Sequence, residues 1–110
     1  MVRLNRRLIL EEFLRMPDEA GGFTEKWVPL GQCWAEIMAR TGRGAEFGNL
    51  PTSRMSWRIV VRGTPVGGIE RPRAGQRFRE EDRFYRIEAV AERDPEGRFL
   101  TCFATEEVAA

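Results

Sequence analysis

The sequence predicts an all-β fold: a small barrel or sandwich of about six short strands, with a long loop between the second and third. Three observations carry that expectation. Apolar and polar residues alternate with a period of two, most clearly in Met55-Ser56-Trp57-Arg58-Ile59-Val60-Val61-Arg62. Turn-forming clusters interrupt the chain at short intervals. The last third reads as a hairpin, with Arg83 to Arg93 and Arg98 to Thr105 flanking Asp94-Pro95-Glu96-Gly97, where Pro presets φ and Gly takes a positive φ.

Along the chain, Arg7-Leu8-Ile9-Leu10-Glu11-Glu12-Phe13-Leu14 has a composition that also suits a helix. Met16-Pro17 and the Gly21-Gly22 pair stop it within about two turns, too short for a stable helix, so it reads as the first strand. Phe23 to Arg40 is a long run broken at Pro29 and Gly31. Pro29 has no N–H to donate, which marks an edge or a bend. Beyond it, Ala35, Ile37 and Ala39 share one face.

Periodicity then ends in Thr41-Gly42-Arg43-Gly44-Ala45-Glu46-Phe47-Gly48-Asn49-Leu50-Pro51-Thr52-Ser53-Arg54, a candidate exposed loop of the length that tends to be functional or disordered. In the strand after it, Met55, Trp57, Ile59 and Val61 point inward, and Ser56, Arg58 and Arg62 outward. A second irregular stretch, Gly63 to Gly75, precedes a short strand at Gln76-Arg77-Phe78-Arg79. Glu80-Glu81-Asp82 is the turn into the final hairpin.

At 110 residues the chain is expected to be one domain, 1–110, burying roughly two-thirds of its unfolded surface. Hydrophobic residues at 42% exclude global disorder. The 18 basic and 17 acidic residues cancel to +1, whereas a dedicated duplex-DNA binder carries a clear basic excess. Lys26 is the only lysine. Codon bias accounts for that, and arginine also suits carboxylate pairing at subunit interfaces.

Histidine is absent, which removes the usual general base and the commonest nitrogen ligand for a metal. Cys33 and Cys102 sit in strand-like runs as apolar fillers, so neither a metal nor a cofactor is expected. Glu11-Glu12, Glu80-Glu81-Asp82 and Glu106-Glu107 read as solvated charge runs, and the glycine-rich stretches lack the lysine-serine of a phosphate loop. No catalytic set is present. No apolar run approaches a bilayer span and no secretory leader is visible, so synthesis in the cytoplasm is expected, without membrane association.

Arg77-Phe78-Arg79 and Arg83-Phe84-Tyr85-Arg86 interleave arginines with aromatics, as a base-stacking platform would. Alternation places Tyr85 and Ile87 on one face and Phe84 and Arg86 on the other, so packing is the stronger reading. A small barrel-type single-stranded nucleic-acid binder stays as the alternative. Trp57 is in phase with Ile59 and belongs to the core. Trp34 is out of phase with Ile37, which assigns it to another layer or an interface.

The order of features also carries a resemblance. Leu4-Asn5-Arg6-Arg7 leads the first strand, Gly21-Gly22-Phe23 precedes a tryptophan-bearing strand, and Trp34-Ala35-Glu36-Ile37 precedes a long polar loop. Trp57-Arg58-Ile59-Val60-Val61-Arg62 and Phe84-Tyr85-Arg86-Ile87-Glu88-Ala89-Val90 follow. Over almost its whole length the chain resembles the tailed-phage head–tail joining family of head-completion or stopper proteins, which also occurs in phage-like gene transfer agents.

The resemblance implies a structural, non-enzymatic β-barrel that forms a homo-oligomeric ring, of six copies or alternatively twelve. That ring would lie between portal and adaptor proteins on the head side and a tail terminator on the other, with double-stranded DNA passing through. It further implies that the loop from Thr41 to Arg54 faces the channel of a virion or phage-like particle. Arg43 is the candidate DNA-facing residue, although this loop is neither strongly basic nor strongly hydrophobic.

Overall fold

A computed structural model describes residues 1–40 and 53–108, and the regular elements among them are all β-strands. They are β1 (Arg6–Pro17), β2 (Phe23–Ala39), β3 (Ser53–Arg62), β4 (Arg77–Glu80), β5 (Arg83–Glu92) and β6 (Phe99–Val108). Neighbours pair antiparallel in the order β1-β2-β3-β6-β5-β4, and β4 returns to β1 to close a barrel. The six-stranded all-β expectation holds, and of its two forms the barrel is the one observed.

Two strands are longer than expected. Pro29 does not stop β2, which runs for 17 residues. The pairing steps from Leu10↔Gly31 to Glu11↔Pro29, leaving Leu30 as an extra residue in a β-bulge. β2 meets β3 only from Ala35 to Ala39, so Pro29 lies on an edge as well as at a bend. Beyond the bulge, residues 12–17 and 23–28 pair only with each other. They form a two-stranded arm extending about 20 Å from the wall at the usual rise per residue. Its turn is held by Asp18, whose Oδ1 accepts from the Ala20 and Gly22 amides at 2.9 and 2.7 Å.

Alternation explains the core. Leu8 and Leu10, Ile59 and Val61, Phe78, Tyr85 and Ile87, and Leu100, Cys102 and Ala104 each share strand parity and fill the interior with Ala35. Cys102 is buried and Cys33 half-buried against the same cluster; both are free thiols that burial pushes up to about 12. Trp57 is half-buried against the core, whereas Met55, sent inward by alternation, is exposed. Pairing with β2 begins only at Trp57, so Met55 has a strand neighbour on one side alone.

The final hairpin follows its turn signal. Asp94 accepts from the Arg98 and Phe99 amides at 3.1 and 3.0 Å, and Gly97 takes φ 68°. Another glycine is required at position 63, where a Cβ would collide with the Gly97 carbonyl oxygen.

Candidate assembly surface

The antiparallel order places the starts of β1, β3 and β5 and the ends of β2, β4 and β6 at one mouth of the barrel. At this mouth the β2–β3 pairing is extended by the Arg40 amide, which donates to Ser56 O at 2.9 Å. Two carboxylate–guanidinium pairs occupy this mouth. Arg6 Nε and Nη2 donate to Glu80 Oε2 and Oε1 at 2.7 and 2.6 Å. Arg83 Nε and Nη2 donate to Glu106 Oε2 and Oε1 at 2.8 and 2.9 Å.

The indole Nε1–H of Trp57 also donates to Glu106, at 3.0 Å, and the Tyr85 hydroxyl donates to Glu80 at 3.4 Å. Arg83 lies over the Trp57 and Tyr85 rings, 5.7 and 5.2 Å from their centroids. Its hydrogen bonds hold Glu106 below the ordinary carboxylate range, and those of Arg6 do the same for Glu80. Burial pushes the Tyr85 phenol up to about 12. Inside the mouth, Arg6 with Glu80 and Arg83 with Glu106 and Trp57 thus satisfy one another's polar groups.

On the outer wall, Arg77 and Arg79 donate to opposite oxygens of Glu11 at 2.7 and 2.9 Å, leaving Glu11 only 5% exposed. Arg77 also lies between two rings, 4.2 Å from the Trp27 centroid and 4.1 Å from that of Phe84. Phe13 tilts against Trp27 at 5.2 Å, and Arg15 covers Phe23 at 4.1 Å. The result is a stripe of aromatics and arginines from the arm tip to the β4–β5 hairpin, the composition that marks protein interfaces. Beside it lies an open concavity of about 640 Å³, walled by Trp27 and Phe84 with Arg54, Arg77, Arg83 and Arg86, and with the acids Asp82, Glu88 and Glu106. Exposed Trp34 lines a second hollow with Leu4 and Arg62, so it packs into no second layer of this chain among the described residues.

Of the expected channel loop, Thr41, Gly42, Arg43, Gly44, Ala45, Glu46, Phe47, Gly48, Asn49, Leu50, Pro51 and Thr52 lie outside the described residues. Ser53 and Arg54 belong to β3 rather than to the loop, because β3 pairs with β6 from its first residue, Ser53↔Val108. Most of the base-stacking pattern resolves into packing: Arg77, Arg79 and Arg83 are ion-paired and Phe78 and Tyr85 are core, while Phe84 and Arg86 face outward.

The three acidic runs were expected to be solvated, and each contains a carboxylate that is not. Glu106 has the parity of Leu100, Cys102 and Ala104, and Glu80 that of Phe78, so alternation alone could have flagged both. Glu11 points outward, and only the β1–β4 pairing reveals the arginines above it. Among the described residues, no three Cys, Asp or Glu side chains converge as a metal site would require. No helix there is long and apolar enough to cross a membrane.

The barrel thus presents a polar mouth and an aromatic–arginine outer stripe. Residues 1–107 match the family described as phage head completion protein, and the chain belongs to that family. It is therefore a structural head-completion protein of phage type, in a family that is not a class of enzymes. A chain from a structure described as the virion of a native gene transfer agent particle is 48% identical to it. Each chain covers all of the other, with a TM-score of 0.81. Protein SF1141 from Shigella flexneri 2a shares the fold at 18% identity, TM-score 0.70, covering 96% of this chain and 95% of its own. No curated protein matches.

Proposed function

We propose that this chain is a subunit of a connector ring joining the DNA-containing head of a phage or gene transfer agent particle to its tail. The carrying observation is full-length similarity, at 48% identity, to a chain of a gene transfer agent virion. The ring has six copies, with twelve as the alternative. It seats on portal and adaptor proteins, receives the tail terminator on its other side, and is assembled after synthesis in the cytoplasm. A net charge of +1 lets identical copies approach without strong repulsion.

Residues 41–52 face the channel through which double-stranded DNA passes, and Arg43 meets phosphate. In support, residues 41–52 join the end of β2 to the start of β3, which the antiparallel order puts at one mouth of the barrel. A particle-producing strain lacking the chain should yield heads and tails that stay separate, and restoring the chain should join them. Normal joining without it would refute the assignment. Removing residues 42–49 should leave the barrel folded but impair DNA retention, with Arg43→Ala giving a milder form of the same defect. Full DNA delivery by the shortened chain would reduce the segment to a connector.

A further inference from the structure

Among the described residues between β1 and β6, the most exposed apolar side chains lie on neither the arm nor the stripe. They are Val66 and Ile69, 84% and 69% exposed, in the segment between β3 and β4. Two apolar side chains this exposed on one tip offer a small patch to a partner. This tip is preorganised. The Gly68 amide donates to Pro65 O at 3.0 Å, the Arg71 amide to Gly68 O at 3.1 Å, and Arg71 Nη1 to Thr64 O at 2.7 Å. Gly67 takes φ +85°, and Pro72 anchors the base by burial. Glu70 is exposed beside Ile69, and its carboxylate makes no ion pair among the described residues.

The concavity has the complementary character. Trp27 and Phe84 offer ring surface, and Arg86 makes no ion pair among the described residues, unlike Arg77 and Arg83. Arg86 stands directly across from Arg77, a like-charge pair that a further carboxylate would relieve. Within one molecule the two features do not pair: no ion pair joins Glu70 to Arg86 among the described residues. The tip leaves the end of β3, whereas the concavity runs from the opposite mouth, marked by Arg54, Asp82 and Arg83, to Arg77 and Arg86 where β4 begins.

We propose that the tip at residues 65–70 of one copy seats in the Trp27–Phe84 concavity of the next, with Glu70 pairing to Arg86. One chain carrying both halves at different places makes a head-to-tail contact, which closes into a ring when the rotation between copies allows. The inference rests on the ring reading and names its contact. Nucleic acid is the poorer occupant, since phosphate has no use for Val66 and Ile69, and Asp82 and Glu88 line the same concavity.

Two sets of variants test the contact in assembled particles. With Ile69→Cys and Arg86→Cys in one chain, mild oxidation of purified particles should give a ladder of disulfide-linked copies; the native thiols are packed against the core and react slowly. Glu70→Arg and Arg86→Glu should each lower the amount of chain recovered with particles by about tenfold, and the double reversal should restore it. Both positions are exposed, so the isolated variants should melt as the parent does. Only monomer after oxidation, crosslinks to a different chain, or single reversals that assemble like the parent would overturn the contact. Particle images that still showed a ring would leave the ring reading standing; a chain absent from the junction would remove both.

Discussion

Replacing Glu106 with alanine isolates the polar network at the barrel mouth. Glu106 is 6% exposed, yet it accepts two hydrogen bonds from Arg83 and one from the Trp57 indole. The substitution leaves that half-buried N–H without an acceptor, a cost of about 1–3 kcal/mol. Losing the Arg83 pair adds about 1 kcal/mol, well below a fully buried pair because the Arg83 side chain is 42% exposed and can rehydrate. A total near 3 kcal/mol lowers Tm by roughly 12–24 °C for a domain of this size. Circular dichroism melts of Glu106→Ala and Trp57→Phe, singly and together, give the coupling. The double variant should fall short of the summed losses by about 1 kcal/mol. A Glu106→Ala protein melting within about 3 °C of the parent would show the carboxylate to be solvated, and the account of the mouth would fail.

Other outcomes follow from the same structure. Glu80 and Glu106 are both held below their ordinary value of 4.5 by guanidinium hydrogen bonds. Their stabilisation is complete above that value and is lost as pH falls through the lowered folded values. Tm should therefore hold between about pH 7 and 5 and drop below about 4.5, with a shallower drop in Glu106→Ala; an identical drop in both proteins would exclude Glu106 as a source. Cys102→Ser places a hydroxyl in the core and should cost about 1–3 kcal/mol in urea denaturation, and an unchanged midpoint would contradict its burial. Gly63→Ala forces a Cβ against the Gly97 carbonyl and should cost about 1–3 kcal/mol, whereas Gly31→Ala meets open space and should be far milder. Equal losses at the two sites would mean the close approach is absent.

Much of the fold was legible because alternation is a local signal. Met55 to Arg62, Arg83 to Glu92 and the Asp94–Gly97 turn each state their structure in adjacent residues, and the strands and hairpin appear where that pattern puts them. Pairing is not local, and the misses follow from it. Pro29 signals an edge or a bend, and both are found, but nothing near it says that the strand continues across the bulge to run for 17 residues. Glu11 looks solvated until β4 brings Arg77 and Arg79 across it. Glu106 was misread for another reason, since its parity with Cys102 and Ala104 was visible and its charge was allowed to outweigh it. The aromatic–arginine stripe was hidden because Phe13, Trp27, Arg77 and Phe84 come from four strands.

The central claim is a place in a particle, and averaged electron-microscopic images of purified particles test it most directly. The account predicts a closed ring of β-barrels at the junction between head and tail, six copies or twelve, into which this fold fits with residues 41–52 toward the axis. Density for the chain elsewhere in the particle, or a junction complete without it, would contradict the account.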